Sequence, residues 1–164
     1  MIRSVIRNRR VLAASFVVAI GMCASVAAKA QHSNVKGSEM TAEIMQYVNE
    51  YRAQKGLGPL RFDPVIAEGA TIHSRDMACR KVPFGHEGFE RRMGEITSRV
   101  KPAMGCAENV AYGSVNAKEV VNMWLNSPGH KKNIEGNYNL SGIGVVKGPD
   151  GALYFTQIFV NKKG

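Results

Sequence analysis

The chain has 164 residues, of which 45% are hydrophobic and 21% charged, with a net charge of +9 and three cysteines. Residues 1–30 hold five basic and no acidic residues, which leaves +4 for the remainder, scattered as Arg91-Arg92, Lys131-Lys132 and Lys162-Lys163. That excludes a basic stripe with interleaved aromatics, and with it nucleic acid as the expected partner.

The first thirty residues read as a leader. Arg3, Arg7, Arg9 and Arg10 precede an uncharged apolar run from Val11 to Ala28, and Ala28-Lys29-Ala30 fits the small-x-small cleavage pattern. A signal peptide over 1–30 and a single domain over 31–164 are expected, with the domain secreted or periplasmic. The alternative is an uncleaved anchor at the lower edge of spanning length. Cys23 does not read as a lipid-attachment site, since Met22 stands where a small residue is needed. No membrane span is expected in 31–164. Cys79 and Cys106 are then an even pair in an exported chain, which reads as one disulfide; two buried free thiols are the alternative.

Ser38 is a candidate cap for a helix carrying Met40, Ile44, Tyr47, Val48 and Tyr51 on one stripe. Gly56 ends it and Pro59 blocks its extension. Asp63-Pro64 opens a second helix, with Ile66, Ala70, His73 and Met77 on its inner face. His73 lies on that apolar stripe and reads as a structural histidine with a satisfied hydrogen bond. Residues 87–95 form a short helix with Phe89 and Met93 inward. Glu108 to Tyr112 reads as loop or strand. Asn116 and Glu119 make a capping box for a helix that buries Val120, Val121, Trp124 and Leu125. Ser127-Pro128-Gly129 then turns the chain, which places His130 at a turn. Residues 142–146 and 152–160 are strands joined by Gly148-Pro149-Asp150-Gly151. Both faces of the last strand are apolar, so helices are expected on both sides of an antiparallel sheet.

Two histidines and a carboxylate stand out: His86 in Gly85-His86-Glu87-Gly88-Phe89, Glu108 in Glu108-Asn109, and His130 after Trp124-x-x-Ser127-Pro128-Gly129. Two imidazoles and a carboxylate are an acceptable set for zinc. Residue 90 is Glu, so no His-Glu-x-x-His zinc-protease helix is present. A purely polar cleft, with Glu108 bracing a loop and both histidines packed on it, is the alternative to a metal.

The ordered set of Asn49-x-x-Arg52, Gly56-Leu57-x-x-Leu60, His86, Glu108-Asn109, Trp124-x-x-Ser127-Pro128-Gly129-His130-x-x-Asn133-Ile134, and Gly142-Ile143-Gly144-Val145 ahead of Phe155-Thr156-Gln157-x-Phe159 resembles the CAP superfamily, or SCP domain, in its compact bacterial form. The resemblance runs from about Met40 to Val160. It implies an α+β fold, a three-layer α-β-α sandwich with a central antiparallel sheet. It also implies a surface cleft formed by His86, Glu108 and His130, with Asn109 and Ser127 beside it. In some members of that superfamily the histidines hold zinc or another divalent cation, which makes His86, His130 and Glu108 candidate ligands. Where animal members carry a fourth acid, this chain has Ser127; Glu95 and Glu135 are the remaining candidates. The implied function is a binding or interaction module for a lipid or sterol, a peptide or a cell-envelope component. The alternative is a divalent-metal-dependent peptidase using the same cleft.

Overall fold

The structure is a computed structural model that describes residues 37–164; the leader and its cleavage site lie outside the described residues. Helix α1 runs over residues 37–54, so Ser38 lies inside the helix rather than at its cap. The C-terminal end follows the sequence reading closely. Gly56 takes φ 71°, the Leu57 amide reaches the Arg52 carbonyl at 2.9 Å, and the Gly56 amide reaches that of Ala53 at 3.0 Å. This is a Schellman closure, which satisfies the last orphan carbonyls.

After a two-residue strand β1 (Arg61–Phe62) comes α2 (Pro64–Ala78). The Asp63 carboxylate accepts from the amides of Val65 and Ile66, and Pro64 sits where its missing N–H costs nothing. Then follow α3 (Phe89–Arg99), β2 (Ala103–Gly113), α4 (Ala117–Leu125), α5 (Pro128–Ile134), β3 (Leu140–Lys147) and β4 (Leu153–Lys162). The capping box at Asn116 and Glu119 is formed in both directions.

The four strands order as β1-β3-β4-β2. β3, β4 and β2 are antiparallel, as expected, whereas β1 pairs in parallel with β3 through Arg61 opposite Leu140. No hairpin dictates that pairing: α2 to α5 and β2 intervene between β1 and β3, and such a crossover permits the parallel sense.

Strand alternation sorts the core into two layers. Ala107, Ala111, Ile143, Phe155 and Phe159 face α1, α4 and α5, with Ile44, Val48, Val120, Trp124 and Ile134. Leu140, Ile158 and Val160 face α2 and α3, with Ile66, Ala70, Met93 and Ile96. The three-layer sandwich follows. Contact between α2 and β3 is unusually close. A Cβ on Gly142 would lie 2.1 Å from the Ala67 amide nitrogen, and one on Gly144 would lie 2.3 Å from that of Thr71. Helix and strand therefore touch backbone to backbone, which only glycine allows.

Cys79 and Cys106 are both free thiols, so the expected disulfide is not formed. The packing explains this. Cys106 lies against the Ile66 and Ala70 end of α2. Ala78, next to Cys79, packs instead with Val110. Val110 is four residues farther along β2, about 13 Å at the rise of an extended strand, whereas a disulfide needs Cα atoms about 4.4–6.8 Å apart.

Candidate functional site

The site is built over the edge strand β2 and draws on both helical layers. Past the register shift between Ala103 and Gly105, even-numbered residues of β2 lie on the α2 and α3 side and odd-numbered ones on the α4 and α5 side. Glu108 therefore points one way and Asn109 the other, and each organises its own half.

Glu108 is buried, its side chain only 1% exposed. Its partner is Arg92 of α3: Nε donates to Oε2 at 2.8 Å and Nη2 to Oε1 at 2.8 Å. Two parallel charge-assisted bonds of this kind are the strongest arrangement open to a carboxylate. Arg92 also donates through Nη1 to the Glu87 carbonyl at 3.2 Å. Its place follows from helix geometry, since Arg92 is three residues after Phe89 and four before Ile96, on the inward stripe.

His86 donates from Nδ1 to Glu108 Oε1 at 2.9 Å. A carboxylate only accepts, so the proton sits on Nδ1 and Nε2 is left facing outward. The His86 side chain is 50% exposed. The turn that presents it is tight: Gly88 takes φ 74° at the start of α3, and the Phe89 amide bonds the His86 carbonyl at 3.0 Å. His73 holds the other end of this turn, donating from Nε2 to the Gly85 carbonyl at 2.8 Å. It is buried and satisfied, as its place on an apolar stripe suggested. Its Nε2 is 3.8 Å from Glu108 Oε1, too far for a second hydrogen bond. Burial pushes His73 below the ordinary histidine value, and the Arg92 guanidinium adds to this.

On the opposite face, Asn109 Nδ2 donates to the His130 carbonyl at 3.1 Å. Asn133 Nδ2 donates to Asn109 Oδ1 at 2.9 Å and to the Glu108 carbonyl at 3.1 Å. The two amides pin α5 to β2 and so fix His130. His130 is not at a turn: Pro128 is the first residue of α5, where proline starts a helix instead of breaking one. Burial lowers the His130 imidazole below its ordinary value, and the neighbouring His86 lowers it further. The two histidines are thus attached to opposite faces of β2, His86 through its ring to Glu108 and His130 through its backbone carbonyl to Asn109. Ser127 caps α5 by position alone, without a side-chain cap bond. Neither proposed fourth acid belongs to this cluster, because Glu95 pairs with Arg91 at 3.1 Å and Glu135 accepts from Tyr51 Oη at 2.6 Å.

Arg52, part of the Asn49-x-x-Arg52 pattern, supports the site from behind. It is buried without a carboxylate. It donates through Nε to the carbonyl of Gly58 (2.8 Å), through Nη1 to those of Ile134 (2.6 Å) and Gly136 (3.0 Å), and through Nη2 to that of Tyr138 (3.1 Å). The end of α5 and the loop into β3 are held by this one guanidinium.

A family model for the cysteine-rich secretory protein family, CAP, matches residues 45–159. The chain belongs to the CAP family. Among curated proteins this CAP domain is similar to the uncharacterized protein YkwD of Bacillus subtilis (strain 168), at 32% identity over 122 residues, covering 73% of this chain and 46% of that one. It is also similar to the uncharacterized membrane protein YlbC of the same organism, at 31% over 125 residues, covering 73% and 34%. The chain therefore spans less than half the length of the curated relatives it matches. Among solved structures it resembles an extracellular SCP-domain protein of Bacillus anthracis str. Ames, with TM-score 0.65, 28% identity, and coverage of 77% of this chain and 41% of that one. An outer surface protein of Borrelia burgdorferi shares the fold at TM-score 0.64 and 23% identity, covering 76% and 94%. Among the described residues of this CAP domain, no helix is long and apolar enough to cross a membrane.

Proposed function

We propose that this CAP domain is an exported binding module whose cleft over the β2 edge, formed by His86, Glu108 and His130, takes up a cell-envelope ligand. The observation that carries the reading is the state of Glu108. Both of its oxygens are bonded to Arg92, and Oε1 to His86 as well. A catalytic zinc site uses three protein ligands and keeps one position open. With Glu108 committed to a guanidinium, only the two imidazoles remain, so the donor set does not fit such an ion. Among the described residues, no group of three or more His, Cys, Asp or Glu side chains is disposed to hold one. Export is supported by the likeness to an extracellular SCP-domain protein.

Hydrolysis keeps one observation in its favour. Glu108 and His86 form a carboxylate–imidazole pair with Nε2 outward, the geometry of an oriented general base. A nucleophile beside it is what this reading lacks, since nothing ties the Ser127 hydroxyl to His86.

The test is co-sedimentation of the purified protein with isolated murein sacculi and, separately, with phospholipid vesicles. Native protein, His86→Ala and His130→Ala are compared. Retention by sacculi that both substitutions reduce is expected. Equal retention of all three proteins, or none by native protein, would overturn the cleft as the binding site. Retention by vesicles alone would replace an envelope polymer with lipid as the ligand.

A further inference from the structure

Three aromatic rings lie in a row along the same sheet face as Glu108. Tyr154 of β4 is directly opposite Tyr112 of β2 in the strand register, and their rings stack with centroids 5.8 Å apart at 23°. Phe84 meets Tyr112 edge-on at 4.8 Å and 62°. Tyr154 is buried, but Phe84 is 49% and Tyr112 54% exposed. Two half-open rings thus form a corner on the surface. Phe84 precedes His86 by two residues, and Tyr112 follows Glu108 by four on the same face of β2, about 13 Å along the strand.

The backbone under this corner is fixed. Tyr112 and Tyr154 are in paired strands, and the Phe84 loop is held where His73 bonds the Gly85 carbonyl at 2.8 Å. Such rings lose little freedom when a ligand arrives. Size selects the kind of ligand. A Phe or Tyr carries about 150–250 Å² of surface, so two half-exposed rings offer about 200 Å² in all. A specific protein partner needs about 800 Å² on each side, far more than the corner supplies. Something the size of a single ring fits it better.

Charge narrows the choice further. Asp150 and Arg80 act on the Tyr154 phenol in opposite senses, Asp150 the more strongly, so the groups beside these faces carry no single sign of charge. The rim is polar and mixed: Arg80, Asp150 and His86 are all exposed. Asp150 Oδ2 is bonded to Tyr154 Oη at 3.1 Å, and its carboxylate is thereby oriented. A neutral ring with apolar C–H faces and hydroxyls around its edge matches rings below and mixed polar groups beside.

The geometry points to a carbohydrate subsite: Phe84 and Tyr112 stack against a pyranose of a glycan chain that runs along β2 toward the His86 and His130 cleft. This rests on the reading of the domain as an envelope-binding module and adds the chemical class of the ligand.

The experiment titrates chitotetraose into the purified protein and follows backbone amide shifts by NMR. Native protein is compared with Phe84→Ala, Tyr112→Ala and Tyr112→Phe. Saturable shifts centred on residues 84–86 and 112–113 are expected, with affinity about fivefold weaker for each alanine variant and kept by Tyr112→Phe, as one stacked ring is worth about 1 kcal/mol. The amide spectra themselves report whether each variant is folded, and Phe84, on a loop, serves should Tyr112→Ala perturb β2. Absence of saturable shifts in native protein up to about 10 mM sugar, or equal affinity in the folded alanine variants, would overturn the subsite. Sacculus retention of the same variants separates the two readings. Native-like retention by a folded double variant, Phe84→Ala with Tyr112→Ala, sinks the subsite and leaves the cleft standing. Failure of native protein to bind sacculi while chitotetraose still binds at the corner sinks the cleft reading alone.

Discussion

Arg92→Met is the substitution that most directly questions this account of the site. It keeps most of the stem volume and removes the guanidinium. Glu108, with a side chain 1% exposed, then loses two bonds of 2.8 Å and its only cationic partner from α3. Removing one member of a buried ion pair costs about 3–5 kcal/mol, because the other charge is left in a poor solvent. The bond to the Glu87 carbonyl is lost too, loosening the turn that carries His86. The expected loss is therefore about 4 kcal/mol, a large part of the stability of a domain this size. Removing both charges, Arg92→Met with Glu108→Leu, is far milder at about 1 kcal/mol, since an apolar pair tolerates the site. The coupling between the two positions is then at least about 2 kcal/mol.

The assay is urea unfolding followed by the fluorescence of Trp124, the only tryptophan, which is buried and donates from Nε1 to the Val110 carbonyl at 3.2 Å. Arg91→Met is the control. Its pair with Glu95 is on the surface, so the cost stays under about 1 kcal/mol. An Arg92→Met protein within about 1 kcal/mol of native, or strictly additive losses in the double variant, would refute the pair as the anchor of the site.

Two further outcomes follow from the packing and the histidines. Gly144→Ala puts a Cβ 2.3 Å from the Thr71 backbone, so α2 must shift off β3; a loss of about 3 kcal/mol or a failure to fold is expected in the same urea assay. Gly105→Ala, with nothing within 4 Å, is expected to leave stability nearly unchanged, and equal losses in both would refute the close approach. His73 and His130 are both lowered in the folded state by burial. Below about pH 6.5 the unfolded chain then binds protons that the folded one resists, so stability is full above that pH and falls as pH drops toward the folded values. Unfolding free energies from pH 8 to 5 check this: His130→Gln is expected to flatten the slope, and stability that rises on acidification would refute it.

Much of the fold is legible in the sequence because local signals and tertiary structure agree. Asp63-Pro64, Asn116 with Glu119, and Gly56-Leu57 each satisfy terminal backbone groups in the way their residue types suggest. The doubly apolar last strand points to helices on both faces. The site is legible only in part. His86 and Glu108 do meet, but Arg92 reads as surface charge, although its place three residues after an inward Phe89 and one before an inward Met93 puts it on the buried stripe. A charge at a core-facing helix position is the available signal. The pairing of Cys79 with Cys106 fails for a different reason. Cysteine counting carries no geometry, and here the two ends of α2 keep the thiols apart. His130 reads as a turn residue because Ser-Pro-Gly can end one helix and begin another, and only packing against Asn109 and Asn133 decides between them.

The site's character follows from where its one buried carboxylate is aimed. A carboxylate open to the cleft would bind a cation or take a proton from a substrate. Glu108 instead faces an internal cation, and its own backbone carbonyl is bonded to Asn133. What remains for a ligand is then the half-exposed ring of His86, held to Glu108 through Nδ1, and His130, whose backbone is held to β2 by Asn109. Hydrogen-bonding edges on a rigid frame are suited to select and orient a ligand. The proposed binding role therefore rests on what His86 and His130 contribute to retention by the sacculus, since the oriented His86–Glu108 pair is equally the start of a general base.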